Sequence, residues 1–319
     1  MTFAFPPPYS RARADRPLPK RMPLAPDRPA VAPYRDRIID EIIRAMGFSP
    51  SGAARRLLGP LFRLPAGRFA KSMARADFEI RSAGLPGGGR SVLRDLGLEP
   101  VVWGAERIPT AGPLVVASNH PGAYDSLALM AAIPRPDLKI VLSDVGFTRA
   151  FEAAREHFIF ARNTAAGRAR AMRDSLRHLE AGGALLIYPH TEVEPDPETS
   201  PGAAEAVGEW SRSLEIMLRR VPATVLQVAI ASGIILPRFI DSPLVRVRRS
   251  PARRQKLAEF LQVSSQMVFP RRVHPRIHLS FADPVEAGRL PADGVMPAIV
   301  GIARRLIETH LAAVRAAAA

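Results

Sequence analysis

From residue 114 to the end of the chain, short apolar runs alternate with longer stretches of helical periodicity, and this alternation constrains the fold more than any other feature. Apolar runs at 114–118, 139–142, 158–161, 184–188, 225–230 and 276–281 are too short for buried helices and read as strands. Between them, residues 126–133, 164–181, 208–219, 252–267 and 296–315 repeat apolar side chains at helical spacing, as Met172, Leu176 and Leu179 do. Gly182 and Gly183 stop the helix they follow. Strands separated by helices imply an α/β fold, with a largely parallel or mixed central sheet flanked by helices.

The region before this alternation divides in two. Residues 1–33 are dense in Pro and Arg without apolar periodicity, and are expected to form a disordered tail. Residues 34–97 are expected to be a helical region, and 98–319 the α/β domain. Ile38, Ile39, Ile42, Ile43 and Met46 mark an amphipathic helix. From 49 to 80, Leu57, Leu58, Leu61, Phe62, Leu64 and Phe69 are interleaved with Arg55, Arg56, Arg63, Arg68, Lys71 and Arg75. Such a segment suits a membrane surface, with cations on headgroup phosphates and apolar groups among acyl chains; it equally suits a helical hairpin packed on the main domain. Gly84–Gly89 reads as a flexible joint.

With 45 basic against 30 acidic residues, the net charge of +15 points to anionic partners such as acidic lipid. Lysine stands only at Lys20, Lys71, Lys139 and Lys256, so 41 of the basic residues are arginine, and a coding bias toward Arg, Ala and Pro accounts for part of the excess. Nucleic acid is not expected as a partner, because aromatic residues make up only 6% and no recognition motif is present. The absence of cysteine removes disulfides, thiolate metal sites and a thiol nucleophile. No apolar run approaches the roughly 20 residues of a spanning helix, and the Pro-rich start lacks the apolar stretch of a signal peptide. A protein lying peripherally on the cytoplasmic face of a membrane is the expectation.

The chemistry concentrates at Ala117-Ser-Asn119-His120-Pro-Gly-Ala-Tyr-Asp125, where an apolar strand ends. On one continuous helix, residues five apart stand about 140° apart around the axis, so His120 and Asp125 could not meet. Pro121-Gly122 supplies a turn, and Asp125 then falls in the first turn of the next helix, free to point back at the imidazole. A carboxylate on one ring nitrogen fixes the tautomer and leaves the other nitrogen to take a proton from a hydroxyl.

This segment resembles the first motif, N-H-x-x-x-x-D, of the glycerolipid acyltransferase family that includes lysophosphatidic acid acyltransferases. The lead-in from Gly104 to Pro113 is similar too, and the resemblance extends over roughly residues 98–290. It implies transfer of a fatty acyl group from acyl-CoA or an acyl carrier protein to a hydroxyl of a glycerolipid or lysophospholipid, with His120 as general base and Asp125 as its partner. It further implies no cofactor and no metal. Phe158-Ile-Phe-Ala-Arg162, followed by Asn163 and Thr164, is similar to the second motif, whose arginine the resemblance assigns to the acceptor's phosphate; Asn119, Arg162 and Asn163 are therefore candidate substrate-binding residues.

In the third motif, usually F-P-E-G-T, this chain reads Tyr188-Pro189-His190-Thr191-Glu192, with His190 in the glutamate's place. The segment is more similar to a branch with the acid two positions later, which includes hemolysin-like and ornithine-lipid acyltransferases. That branch nominates Glu192, with Glu194 as competitor, and Trp210-Ser211 is also reminiscent of it. Gln227 replaces the central proline of the fourth motif. His157, His178, His274, His278 and His310 lack partners at ligand spacing and read as structural or surface residues. Two rival readings are a non-catalytic membrane-binding protein on the same fold, and a metal-dependent hydrolase using His120, Asp125, His190 and Glu192.

Overall fold

The apolar runs pair into one mixed sheet, seen in a computed structural model that describes residues 31–45, 48–143, 148, 151–190, 192–248, 250–269 and 272–319. Its strands are β1 (Val101–Trp103), β2 (Leu114–Ser118), β3 (Lys139–Ser143), β4 (Phe158–Ala161), β5 (Ala184–Ile187), β6 (Val225–Ser232), β7 (His278–Phe281) and β8 (Val285–Glu286). The order across the sheet is β1-β7-β6-β2-β5-β3-β4, with β8 also pairing β6. Strands β6, β2, β5, β3 and β4 run parallel, whereas β7 and β8 are antiparallel to β6. The expected α/β class holds, and the sheet is mixed because β7 and β8 oppose β6.

The helices are α1 (Val31–Ala45), α2 (Gly52–Leu96), α3 (Ala123–Ala132), α4 (Ala165–Glu180), α5 (Ala203–Ala206), α6 (Ser213–Arg220), α7 (Pro237–Ile240), α8 (Pro243–Arg246), α9 (Pro251–Val268) and α10 (Val295–Ala318). They cover both faces. Along β2, Leu114 and Val116 enter a core layer with Ile39 and Ile43 of α1, Ala70 of α2, Leu129 of α3 and Ala258 of α9. Val115 and Ala117 enter the opposite layer with Leu179 of α4, Leu214 of α6 and Ile299 of α10. Strands buried on both faces must be apolar throughout, which is why they read as continuous runs rather than alternating ones.

Of the expected tail, residues 1–30 lie outside the described residues and 31–33 already belong to α1. α1 and α2 pack into the same layer as α3 and α9. The first half of α2 turns Ala66, Ala70, Met73, Ala76 and Ile80 inward while Leu57, Leu61 and Leu64 stay 77%, 68% and 57% exposed. Among the described residues, no helix is long and apolar enough to cross a membrane.

The glycine run at 84–89 is not a flexible joint. Only Gly84 leaves helical geometry, at φ 61° and ψ −171°, and Pro86 restarts the helix. At Gly84 a Cβ would stand 2.7 Å from the Pro136 carbonyl oxygen. Gly89 lets α2 and α3 approach backbone to backbone, since a Cβ there would lie 2.8 Å from both the Ala131 nitrogen and the Leu127 oxygen. The sequence shows glycines, but a third helix pressed against them appears only in the fold.

Gly84→Ala is expected to destabilise the protein by about 2–4 kcal/mol, combining a disfavoured backbone conformation with a backbone clash. Gly97→Ala, at φ 66° with open space around it, is expected to cost only about 1 kcal/mol. Chemical denaturation of the two variants should rank them in that order; equal costs would refute the packing account.

Candidate active site

Strand β2 ends at Ser118, and buried partners hold several groups of the following turn. The Asn119 amide imitates a neighbouring strand: its Nδ2 donates to the Ala231 carbonyl at 2.9 Å, and its Oδ1 accepts from the Ala231 N–H at 2.8 Å. The His120 N–H donates to Glu194 Oε2 at 2.9 Å, and its carbonyl accepts from the Glu194 N–H at 2.9 Å. Gln255 of α9 donates its Nε2 to the carbonyls of Pro121 and Glu194, both at 2.6 Å. Finally, the Gly122 N–H donates to Asp125 Oδ2 at 3.0 Å, so the carboxylate in the first turn of α3 caps its own helix.

Across this turn His120 meets Asp125. The imidazole Nδ1 lies 3.0 Å from Oδ2 and 3.2 Å from Oδ1. Asp125 is completely buried while 31% of the His120 side chain remains accessible. Ser126 Oγ donates to Asp125 Oδ1 at 3.0 Å, and the Tyr188 hydroxyl donates to Ser126 Oγ at 2.9 Å. The Tyr188 ring lies against the imidazole, with centroids 4.4 Å apart. Asp125 therefore engages Nδ1 and leaves the other ring nitrogen, Nε2, for proton exchange.

Burial alone would disfavour a charged imidazole. Here the charge and hydrogen bond of Asp125, aided by Glu259 and Glu194, outweigh it and raise His120 to about 9. Tyr188 is pushed well above the usual phenol range, by burial first and by Asp125 second, and stays a neutral donor. Glu194 is raised by burial, against the opposing hydrogen bonds from Trp210 and from the His120 backbone.

Among the sequence candidates, only His120 and Asp125 meet as the spacing requires. Asn119 is 2% exposed with both amide ends committed to Ala231, so it positions the turn instead of reaching a substrate. Of the two acids in the third motif, the fold brings Glu194 to the dyad: it is 1% exposed and accepts from Trp210 Nε1 at 2.8 Å. Glu192 is exposed, with its carbonyl 2.9 Å from Nδ1 of His190. Thr191 between them lies outside the described residues. Arg162 and Asn163 follow β4, which stands three strands from β2, roughly 14 Å away at the usual strand spacing. There Asn163 Oδ1 accepts from Arg168 at 3.3 Å, and Thr164 caps α4 by accepting from the Gly167 N–H.

Several contributors escaped the sequence reading. Gln255, Gln262 and Gln266 of α9, all buried, form a polar stripe on one helical face, and Glu259 falls on the same stripe. Gln262 spans the Ile234 carbonyl and the Leu236 N–H, while Gln266 donates to the Leu96 carbonyl and accepts from the Tyr124 hydroxyl. The spacing of these residues, a polar face on a helix otherwise destined for the core, was the available signal. His278 and His310 also gain partners, the former on Glu198 at 2.7 Å and the latter between Ser232 at 2.6 Å and Ser280 at 2.7 Å. His310 thereby ties α10 to β6 and β7. Among the described residues no group of three or more His, Asp or Glu side chains is arranged to hold a metal ion.

Residues 99–231 match the family model described as Acyltransferase. The structure is similar to the crystal structure of the 1-acyl-sn-glycerophosphate (LPA) acyltransferase PlsC from Thermotoga maritima, with 13% sequence identity, coverage of 86% of this chain and 93% of that chain, and a TM-score of 0.47. No curated protein matches the chain.

Asp125→Asn should lower the His120 pKa from about 9 to near or below the ordinary imidazole value, because burial then meets less opposition. Since the folded-state value is raised, the pair's stabilising contribution is complete below about pH 6.5 and disappears as pH rises through about 9. NMR titration of the imidazole, with denaturation at both ends of this window, checks both statements; an unchanged titration in the variant would exclude Asp125 as the cause.

Proposed function

We propose that this protein transfers a fatty acyl chain from a thioester, acyl-CoA or an acyl carrier protein, to a hydroxyl of a glycerolipid or lysophospholipid at a membrane surface. The observation that carries the proposal is the His120–Asp125 contact at 3.0 Å, on a turn at the carboxyl edge of the parallel strands and within the residues that match the Acyltransferase family model. In the step proposed, Nε2 of His120 removes the proton of the acceptor hydroxyl as its oxygen attacks the thioester carbonyl. The C–S bond then breaks, an ester remains, and the sulfur leaves as a thiol with the proton returned by the imidazolium. Asp125 orients the ring and stabilises its charged form. Glu194, Gln255 and Asn119 hold the turn, and Arg162 lies on the same sheet edge, where a phosphate-bearing substrate would meet a cation. No cofactor or metal ion takes part.

The membrane half of the proposal is supported by the outer face of α2. Leu57, Leu61 and Leu64 form an exposed stripe at helical spacing, beside the exposed Arg56, Arg63 and Lys71. Phe269, at the end of α9, adds another exposed apolar group. Anionic lipid of the cytoplasmic leaflet suits this pairing of leucine and arginine, which supports a peripheral position on that face.

Three measurements test these statements. His120→Ala should lower incorporation of labelled acyl chains into a panel of lysolipids by between about a hundredfold and ten-thousandfold while leaving circular dichroism unchanged; full activity would refute the assignment. Because the resting imidazole titrates at about 9, kcat/KM should rise with pH from 6 and level off near 9; a plateau already reached at pH 7 would exclude His120 as the titrating base. Leu57→Asp with Leu61→Asp should abolish sedimentation with vesicles containing anionic lipid, and retained sedimentation would remove α2 as the contact.

A further inference from the structure

The turn that carries His120 and the loop that carries Glu194 follow different strands, β2 and β5, and are bonded to each other through those two residues. The carbonyls of Pro121 and Glu194 then converge on one point, and Gln255 Nε2 stands there, donating to each at 2.6 Å. Gln255 is 6% exposed, so a side chain of the same length without a donor would leave both carbonyls unpaired in the interior. The arrangement also restricts the residue type. A glutamate would set its own acceptors against two carbonyls, and a lysine would bring a positive charge beside an imidazole that has to take up a proton.

Gln255 is itself held firmly. It lies on α9, beyond residues 99–231, and the helix is fixed further along where Gln262 bridges the Ile234 carbonyl and the Leu236 N–H at 2.7 and 2.8 Å. One turn from Gln255, the Glu259 carboxylate stands 3.4 Å from the point a Cβ on Gly122 would occupy, so α9 meets the turn at a second place. Pro121 and Gly122 are the residues that bend the chain between His120 and Asp125. A shift of Pro121 therefore moves the imidazole relative to its carboxylate.

Resting on the acyl-transfer reading above, we infer that Gln255 is a positioning residue for that reaction: by bridging the Pro121 and Glu194 carbonyls it holds the His120 ring in register with Asp125. It acts through His120 and not on the substrate. The register of the dyad is thus set from a helix outside the motif-bearing segments, and by a neutral amide.

The test uses the full chain with Gln255→Met, which keeps the length and loses the donor, and Gln255→Asn, which keeps the amide and shortens its reach. In transfer assays Gln255→Met should lower kcat by about tenfold to a hundredfold with the KM of donor and acceptor unchanged, and Gln255→Asn should fall between it and the wild type. NMR titration should show His120 in Gln255→Met moving from about 9 toward the ordinary imidazole value, because the ring is held less closely against Asp125. The control is Asp77→Ala: Asp77 is buried and accepts from the N–H groups of Glu152, Ala153 and Ala154 ahead of β4. It should weaken the fold while leaving kcat and the titration as in the wild type. Wild-type kcat in Gln255→Met, an unshifted titration, or the same loss of kcat in Asp77→Ala would overturn the inference. Circular dichroism checks folding, and should Gln255→Met not fold, Gln255→Asn decides by the same criteria. A shifted titration in a protein that transfers no acyl chain would remove the catalytic reading and leave Gln255 as the holder of the dyad.

Discussion

A fully buried carboxylate organises this structure. Removing Asp125 from water is costly unless every lone pair it presents finds a donor, and in this fold the donors are the His120 ring, the Gly122 N–H and the Ser126 hydroxyl, with Tyr188 behind Ser126. Each donor lies within a few residues of the turn or on the adjoining end of β5. Satisfying the carboxylate therefore fixes the turn, the start of α3 and the tautomer of the imidazole at once. The high imidazole pKa follows from the same arrangement, since a ring beside an unscreened carboxylate holds its proton more strongly than burial can remove it.

The sheet determines where that turn lies. β2 is flanked by β5 and β6 and is apolar on both faces, so its end cannot shift without disturbing two core layers. The chain leaves β2 toward β3 on one side and later returns to β6 on the other, and in open α/β sheets the crevice at such a point of divergence is where ligands bind. Asn119 extends the β2–β6 pairing one residue past the strand by substituting its amide for a peptide group. The histidine that follows consequently leaves the sheet at a defined angle.

Local patterns made much of this legible. Apolar runs gave the strands that line the core, and turn chemistry at Pro121-Gly122 gave the dyad, because both depend on near neighbours in sequence. Features set by the order of strands were hidden. Arg162 follows a strand end just as His120 does, but nothing in residues 158–163 says that β5 and β3 intervene between β4 and β2. The choice between Glu192 and Glu194 was hidden for a related reason: the loop after β5 has no period, and the acid that turns inward is the one whose neighbours, Trp210 and the His120 backbone, arrive from distant segments. The glycines at 84–89 misled in the opposite direction, since flexibility and close packing call for the same residue type.

The same reasoning explains why α9 carries glutamines where a core helix would carry leucines. One end of α9 grips the dyad turn through Gln255, and the other accepts Arg68 of α2 on the Met267 and Val268 carbonyls at 2.8 and 3.1 Å, with Phe62 and Phe260 packed edge to face between them. From Gln255 to Met267 a helix rises about 18 Å. The helix is therefore a strut between the leucine stripe of α2 and the His120 turn, anchored at both ends by hydrogen bonds to main-chain carbonyls, which do not depend on side-chain identity on the receiving side. Neutral amides suit the position, since they satisfy carbonyls of the turn without placing another charge beside an imidazole already held at about 9 by carboxylates. The distance from any surface that meets α2 to the imidazole is then set by the length of a helix and not by a hinge.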